Sequence, residues 1–467
     1  MSEMIVELPE QATGIRYGWH DRYQIPLDHP SALRFYIDKL FVPHSRREMV
    51  WALVARSSAL ATRAAVPVLR IEAANSSERN SVEEAADAGV EGSTETGDTG
   101  IEWLTVKLEN HLRRAGVTTS GALSFLSLDD YRHAERQKMV LFIFDHAGTR
   151  PCAVAKIGGE ERHGAVLAHE HEMMRELHGR VGEELRATMP QPLALFGERG
   201  LMIFLESFVG GRSIYFEMRN SWRPRRLAAR HFRLASEWIV RFQRATQVRA
   251  AQLDEATADE YVVSPLRDFG RAFSLLPEER ALVSQVKELT RELGGERLPL
   301  VARQGDFWAR NLILQGDTIG VVDWEGFREE STPFWDMFLF ATSYALSYPW
   351  RLGRWAEPSV AFRAAYLEPS WFAQLTRRHL LSHCNAMDVS PRLLEIFFPV
   401  FLAERALEEE RQTVERVGRK KKQQQNAPVV NRRDATGMTK TAQAAEVGTW
   451  RRLFQEYARR TKPACFG

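Results

Sequence analysis

The stretch that decides the fold runs from Val301 to Asp336 and has the sequence VARQGDFWARNLILQGDTIGVVDWEGFREESTPFWD. Two short apolar runs, Leu312–Leu314 and Ile319–Val322, flank a Gln-Gly-Asp turn. Apolar runs of this length on either side of a glycine-containing turn are typical of a β-hairpin. The sequence therefore predicts a loop that leads into a hairpin.

Three side chains with oxygen atoms lie around this predicted hairpin. Asp306 and Asn311 are five positions apart in the loop, and Asp323 follows the second apolar run. A hairpin would bring these side chains to one end of the structure. Carboxylate and amide oxygens are ligands that Mg²⁺ accepts, and an aspartate can orient or deprotonate a hydroxyl. This set of residues indicates phosphoryl transfer, because the transferred group needs its charge neutralised.

The segments QGDFWARN (304–311) and VDWE (322–325) resemble the catalytic loop and metal-binding segment of the aminoglycoside phosphotransferase and choline kinase family. The resemblance implies an α+β, two-lobed protein-kinase-like fold with a small antiparallel-sheet N-lobe and a larger, mostly helical C-lobe. It also implies that Asp306 accepts or orients the acceptor hydroxyl and that Asn311 and Asp323 hold Mg²⁺. Gln304 stands where the family has a histidine, and since that residue supports the loop, we expect the chemistry to remain possible.

The composition excludes several classes of protein. The chain has 467 residues, enough for two lobes with extra segments, and 63 Lys plus Arg against 61 Asp plus Glu give a net charge of +2. This balance does not favour nucleic-acid binding. The three cysteines, Cys152, Cys384 and Cys465, lack the spacing of a metal site or a disulfide framework. No window is apolar enough to span a bilayer, so we expect a soluble cytoplasmic protein.

The chain divides into five predicted regions by changes in composition. Residues 1–73 form a helical N-terminal extension, with apolar spacing that predicts helices over 31–41 and 46–64. Residues 74–100 are small, polar and acidic, which predicts a disordered linker. The remaining three regions are an N-lobe at 101–210, a C-lobe with the catalytic loop at 211–417, and a polar tail at 418–467 that ends in a short amphipathic helix.

Three apolar runs in the predicted N-lobe, 122–128, 139–144 and 152–157, are separated by polar turns and predict an antiparallel sheet. In a kinase-like fold, the connection between the first two strands lies over the nucleotide phosphates. Here that connection is DDYRHAERQK, which has no glycine. Contacts to phosphate would then come from backbone amides or from basic side chains.

Lys156 ends the third run in the sequence AVAK and resembles the strand lysine that contacts nucleotide phosphates in kinases. Glu170 follows fourteen residues later and shares helical spacing with Met173, Met174 and Leu177. In kinases the equivalent helix glutamate pairs with the strand lysine. Glu172 is the alternative partner, but it lies about half-way round the helix, so we favour Glu170.

Two further strands are predicted at 190–195 and 201–205, and the segment Glu206-Ser207-Phe208-Val209-Gly210-Gly211 follows them directly. By its order in the chain, the resemblance places the connection between the lobes here. Main-chain groups near Glu206 and Phe208 would then hydrogen-bond an adenine or guanine base.

The sequence therefore predicts a phosphotransferase that moves the γ-phosphate of ATP, or of GTP, with Mg²⁺ to a hydroxyl of a small metabolite, sugar or aminoglycoside-like acceptor. One alternative is a nucleotide-binding scaffold without transfer activity, which Gln304 and the glycine-free connection would suit. A nucleic-acid-binding protein is another alternative, suggested by nine arginines between Arg219 and Arg249 and by the run RKKK at 419–422. We favour a solvated face of an amphipathic helix for those arginines and a solvated tail for the RKKK run. The sequence names neither the acceptor nor the oligomeric state.

Overall fold

A computed structural model describes residues 17–20, 23–26, 30–40, 72–73, 102–120, 122–128, 138–146, 148–219, 221, 223–349, 356–426 and 448–459. The predicted helix over 46–64, the acidic linker and most of the glycine-free connection lie outside these residues. The chain forms two compact units. The first, the sheet unit, comprises Met1–Trp222 with Arg310–Glu325, and the second, the helical unit, comprises Arg223–Ala309 with Gly326–Gly467.

The described strands are short, and most belong to the sheet unit. They are β1 (Tyr17–His20), β2 (Tyr23–Pro26), β3 (Glu72–Ala73), β4 (Leu123–Leu128), β5 (Lys138–Asp145), β6 (Ala153–Gly159), β7 (Pro192–Glu198), β8 (Leu201–Ser207), β9 (Arg212–Ser213), β10 (Gln247–Gln252), β11 (Arg297–Arg303), β12 (Leu312–Gln315), β13 (Thr318–Val321) and β14 (Arg328–Ser331).

Most of the described helices belong to the helical unit, and π-helical turns at 36–40, 259–263 and 363–367 continue three of them. They are α1 (Pro30–Phe35), α2 (Glu102–Arg114), α3 (Glu160–Arg180), α4 (Glu183–Arg186), α5 (Ile214–Arg219), α6 (Pro224–Ala245), α7 (Glu255–Ala258), α8 (Ser264–Ala272), α9 (Pro277–Glu292), α10 (Trp335–Ser347), α11 (Pro358–Phe362), α12 (Trp371–Met387), α13 (Leu393–Asn426) and α14 (Thr449–Ala458).

The sheet unit is built on an eight-stranded sheet with the order β3-β1-β2-β4-β5-β6-β8-β7. Its strands pair antiparallel throughout. The three predicted N-lobe strands are confirmed as β4, β5 and β6, which are neighbours in the sheet. The N-terminal extension contributes strands as well as the predicted helix, because β1 and β2 extend this sheet beyond β4.

The pairing register divides the side chains of the sheet between two faces. Lys156 lies opposite Phe204, and Val154 lies opposite both Phe142 and Glu206. Directly opposed residues point to the same face of an antiparallel sheet, as do alternate residues of one strand. Lys156, Glu206 and Phe142 therefore share one face, which we call the lysine face.

Helix α2 packs on the opposite face of the sheet. Its apolar residues include Trp103, Leu104, Leu108 and Leu112, which are buried in one cluster with apolar side chains of β4, β5, β6 and β8. The helical spacing of these residues agrees with the predicted stripe. This cluster is the larger of the two described cores of the sheet unit and holds α2 against the sheet.

The lysine face is partly covered by α1 and the turn that follows it. Ala32, Leu33, Tyr36 and Ile37 are buried there against apolar side chains of β4 and β5. Phe35 joins them, with its ring centroid 5.5 Å from that of Phe142, 5.6 Å from that of Phe144 and 5.6 Å from that of Phe208. This second core anchors the N-terminal extension to the lysine face.

The helical unit has a core of aromatic residues. Nearly every residue of α10 is buried, and rings from α10, α11 and α13 lie within contact distance of one another. The predicted C-terminal amphipathic helix is confirmed as α14, whose Leu453, Phe454 and Tyr457 are buried. No helix in the described part of the chain is long and apolar enough to cross a membrane.

The predicted fold class is confirmed. One unit has an antiparallel sheet and the other is mostly helical, which is the α+β arrangement of a protein-kinase-like fold. The predicted hairpin is also present, as β12 and β13 pair with Leu312 opposite Val321. The units divide the chain differently from the predicted boundaries, because residues 310–325 cluster with the sheet unit although they follow the first helices of the helical unit.

Candidate functional site

The centre of the candidate site in the sheet unit is the ammonium group of Lys156, on β6. Its Nζ atom forms an ion pair with Oε1 of Glu170 and lies 3.4 Å from Oε1 of Glu206 and 3.7 Å from Oδ1 of Asp323. The side chains of Lys156, Glu170 and Glu206 are at most 5 % exposed, whereas that of Asp323 is 32 % exposed. One cation therefore faces three carboxylates, of which one is open to solvent.

Helix α3 brings Glu170 to the lysine because of its apolar spacing. Met173, Met174 and Leu177 are buried, and Glu170 lies on the same side of the helix and is fully buried. Glu172 is exposed. Of the two candidate glutamates, Glu170 is the one that the structure places against Lys156.

The pKa values in this cluster reflect burial opposed by charge. Burial alone would lower the pKa of Lys156, but the charges of Glu170, Glu206 and Asp323 together outweigh it and raise the pKa well above its usual value. Lys156 is thus a fixed cation. Burial raises the pKa of Glu206 to about 7, although Lys156 opposes this rise. Glu206 therefore keeps its proton to a higher pH than an exposed glutamate does.

The hairpin positions Asn311 and Asp323 next to each other along its two strands. The Val322 amide donates a 3.0 Å hydrogen bond to the Asn311 carbonyl oxygen, and the Trp324 amide donates a 3.1 Å bond to Oε1 of Glu170. Asp323, between these two anchored residues, has a φ of 63°. Left-handed backbone is uncommon for a residue other than glycine and is found mostly where the surroundings enforce it, often at functional sites.

The donor set at this position fits Mg²⁺. Asn311 and Asp323 offer an amide and a carboxylate, the oxygen ligands that Mg²⁺ prefers. The excess of carboxylates over the single ammonium of Lys156 adds negative potential. Within the described residues there is no cluster of three or more His, Cys, Asp or Glu side chains able to hold a metal alone. Mg²⁺ is commonly held by one or two protein ligands, with waters and ligand oxygens completing its coordination.

Asp306 belongs to the helical unit, where hydrogen bonds fix its loop. Its amide donates to Oε1 of Gln304 over 2.9 Å, and Nε1 of Trp308 donates to its Oδ2 over 3.2 Å. Gln304 is fully buried and accepts the bond from the Asp306 amide, so it supports the loop. It stands at the position where the family that this loop resembles has a histidine. The carboxylate of Asp336 accepts from the amides of Gln304 and Gly305 over 2.9 and 3.0 Å.

Two features of this loop show how tightly it is held. Gly305 has a φ of 85°, and a Cβ atom at this position would lie 1.8 Å from the carbonyl oxygen of Gly326. Only glycine fits there. Burial raises the pKa of Asp336 to about 6, although the amides of Gly305 and Gln304 oppose this rise. Asp336 is thus a buried support of the loop.

The predicted base-binding residues have side-chain partners that the sequence did not indicate. Glu206 contacts Lys156 through its carboxylate, and the ring of Phe208 packs against those of Phe35 and Phe142. A signal for Glu206 was present, since it is a single charged residue at the end of the apolar run LMIFL. Phe35 stands in an aromatic-rich segment, which indicates burial, but its partners lie more than a hundred residues away and could not be identified from the sequence.

Comparison with known proteins finds similarity at the level of structure alone. No protein-family model and no curated protein matches the sequence. Among solved structures, an aminoglycoside phosphotransferase mutant in a ternary complex with AMP-PNP and hygromycin B is 11 % identical, with a TM-score of 0.41, covering 76 % of this chain and 99 % of that one. An amicoumacin kinase in complex with AMP-PNP and Ca²⁺ is 10 % identical, with a TM-score of 0.37 and coverage of 64 % and 86 %.

A macrolide 2′-phosphotransferase from Brachybacterium faecium is 15 % identical, with a TM-score of 0.35 and coverage of 65 % and 92 %. The chain is thus similar to structures of the aminoglycoside phosphotransferase type.

Proposed function

We propose that this protein is a small-molecule phosphotransferase that uses ATP, or GTP in its place, with Mg²⁺. The observation that carries the proposal is the cluster around Lys156. A buried ammonium held by Glu170 faces Asp323, a partly exposed carboxylate at left-handed backbone, and Asn311 lies beside it on the hairpin. A cation for phosphate oxygens next to oxygen ligands for Mg²⁺ is the equipment of phosphoryl transfer.

Each residue of the cluster has a defined part in this proposal. Lys156 would contact phosphate oxygens, and Glu170 would hold the lysine in place through the buried ion pair. Asn311 and Asp323 would hold Mg²⁺. The bound nucleotide and metal would supply the γ-phosphoryl group and neutralise its charge. The main chain near Glu206 and Phe208 would hydrogen-bond the base.

Asp306 would take the proton from the acceptor hydroxyl as the oxygen of that hydroxyl bonds to the γ-phosphorus, while the bond to the bridging oxygen of the nucleoside diphosphate breaks. Its loop supports this role, since Gln304, Trp308 and the Asp336 carboxylate fix the backbone and side chain. Positioning and charge neutralisation then supply most of the rate increase. The acceptor belongs to the hydroxylated metabolites, sugars or aminoglycosides.

The test combines nucleotide binding with turnover. Isothermal titration with Mg-ATP and Mg-GTP measures binding, and ADP or GDP release with a panel of hydroxylated metabolites, sugars and aminoglycosides measures transfer. We expect Lys156→Met to lose binding and Asp306→Ala to keep binding but lose acceptor-dependent release. Asp268→Ala, an exposed aspartate of α8, is the control and should change neither.

Two results would count against the proposal. Equal release of ADP or GDP by wild type and Asp306→Ala with every acceptor would show that this aspartate does not catalyse the transfer. Nucleotide binding that depends on Lys156, without release for any acceptor, would instead favour the scaffold alternative.

A further inference from the structure

A cavity of about 200 Å³ lies inside the helical unit, where the end of β11, the start of α10 and the first half of α13 meet. This volume is below the roughly 300–1,000 Å³ of pockets that hold drug-sized ligands, so the cavity suits a smaller metabolite. Its wall combines aromatic rings with charged groups, among them Tyr261, Arg303, Trp335, Phe338, Phe401 and Glu404.

Arg303 is a buried cation in this wall, and Glu404 and Asp336 partly offset its charge without forming an ion pair with it. Its residue is 8 % exposed, its guanidinium carbon lies 4.2 Å from the centre of the Trp335 ring, and its Nε makes no hydrogen bond. Within the described part of the chain, no carboxylate forms an ion pair with it. Burial accordingly lowers the pKa of Arg303. A buried charge is costly unless it is paired and hydrogen-bonded, so this guanidinium is poised for an anion.

Glu404 places a half-buried acid on the same cavity. Its Oε2 accepts a 3.1 Å hydrogen bond from Nε1 of Trp335, and burial raises its pKa although Arg303 opposes this rise. Glu330, a second carboxylate in the wall, already accepts a 2.8 Å bond from Tyr261 and bonds from an arginine of β10. Glu260 also lines the cavity but is exposed, so we assign the ligand cation to Glu404.

Part of the remaining wall is apolar, and Glu260, Arg328, Ser331 and Thr332 line the rest. Phe338 of α10 and Phe397, Val400 and Phe401 of α13 line the apolar part, and all are buried. An apolar ligand group enclosed by these side chains would be removed from water, which stabilises the complex in proportion to the area buried. The cavity thus combines an anion receptor, a cation receptor and an apolar wall.

We propose that this cavity is a binding site for a free α-amino acid with an apolar side chain. The ligand carboxylate would take the bidentate hydrogen bonds that the Arg303 guanidinium offers, because this fork geometry matches a carboxylate. The ligand ammonium would bond to Glu404, and the side chain would lie against the rings of α10 and α13. The proposal concerns binding alone and does not depend on phosphate transfer by the sheet unit and Asp306.

Titration of the unaltered full-length protein tests the proposal without relying on any variant. The probes are L-leucine, L-isoleucine, L-methionine and L-phenylalanine, and we expect at least one to bind with a dissociation constant at or below ~1 mM. For L-leucine, two analogues each lack one charged group: 3-methylbutylamine has no carboxylate and 4-methylpentanoate has no amine. Each should bind at least about tenfold more weakly than the amino acid, since it leaves one charged group of the cavity unpaired.

Variants assign the two charged groups of the ligand to the two receptors. Arg303→Gln should remove the preference for the amino acid over the amine, and Glu404→Gln should remove the preference over the carboxylate. Arg405→Gln is the matched control, because Arg405 also lies over the Trp335 ring, at 5.8 Å, but does not line the cavity. It should leave the affinity unchanged.

Three results would overturn the proposal. One is the absence of binding by all four amino acids, which is expected if water alone links Arg303 and Glu404. A second is equal affinity for L-leucine and its two analogues. The third is loss of binding in Arg405→Gln to the same extent as in Arg303→Gln, which would place the ligand elsewhere.

Discussion

The ring of Phe35, from the N-terminal helix α1, packs against the ring of Phe208, which directly follows β8, with 5.6 Å between their centroids. Phe35 also contacts Phe142 on the same face of the sheet as Lys156. The N-terminal extension thus covers apolar surface next to Phe208, on the same face of the sheet as the lysine.

Phe35→Ala tests whether this ring and a nucleotide base use the same surface. Because the alanine vacates the space over Phe142 and Phe208, we expect Mg-ATP to bind several-fold more tightly, measured by isothermal titration, while the protein melts at a lower temperature. Leu104→Ala, on the opposite face of the sheet, is the control and should lower the melting temperature without changing affinity. Unchanged or weaker nucleotide binding in Phe35→Ala would contradict the prediction.

Glu170→Gln should destabilise the protein, because it removes the charge that pairs with buried Lys156 while keeping the shape of the side chain. Glu206 and Asp323 remain near the ammonium. We therefore expect a loss of about 1.5–3 kcal/mol, the range for a hydrogen bond to a charged group. Urea unfolding measures it. Glu172→Gln, two positions away on the exposed side of α3, should change the free energy of unfolding by less than about 0.5 kcal/mol. Similar losses in both variants would refute the assigned pairing.

Gly305→Ala should be far more damaging than the same change at another left-handed glycine. Gly116 has a φ of 78° and open space where a Cβ atom would lie, whereas at Gly305 the Cβ would meet the Gly326 carbonyl. The change at Gly116 should cost about 1–2 kcal/mol from backbone strain alone. At Gly305 the loop must also move, so we expect at least about 4 kcal/mol or failure to fold. Equal unfolding midpoints for the two variants would show that the Asp306 loop can move to make room for a Cβ atom at position 305 without loss of stability.

Asp336→Asn tests the buried support of that loop through its pH dependence. The folded-state pKa of about 6 lies above the ordinary value of 3.8, so the folded protein binds this proton more tightly than the unfolded chain does. The contribution of Asp336 to the free energy of unfolding is therefore largest below pH 4 and decreases by about 3 kcal/mol as the pH rises through 6.

Asparagine does not titrate, so the stability difference between wild type and Asp336→Asn should shrink by that amount from pH 4 to pH 7. Urea unfolding across this range measures the difference. Asp268→Asn, an exposed change in the same unit, serves as the control. A difference that is independent of pH would mean that burial does not raise the pKa of Asp336.

Much of the fold could be predicted because its signals are local. The apolar runs of β4, β5 and β6, the turn between β12 and β13, and the spacing around Glu170 each depend on residues within one element. The same holds for α14, whose aromatic stripe predicted its burial. The spacing of apolar residues was sufficient to predict a helix or strand wherever one face of that element packs against the core.

The rest depends on contacts between distant parts of the chain. That β1 and β2 extend the sheet, and that Phe35 packs on Phe208, follow from pairing and packing that no short window encodes. The carboxylate of Glu206 reaches Lys156 because β8 pairs with β6 in a particular register. A shift of this register by one residue would turn Glu206 to the other face. The left-handed backbone of Asp323 likewise results from anchors on both sides of it.

The assignment of residues 310–325 to the sheet unit has a practical consequence for dissecting this protein into fragments. The polypeptide passes between the units at 222–223, at 309–310 and again at 325–326. A fragment that stops at Trp222 would contain Lys156 and Glu170 but would lack Asn311, Asp323 and the whole β12–β13 hairpin. Expression of the sheet unit by itself would therefore require the hairpin segment to be grafted onto it through a new linker or supplied as a separate peptide.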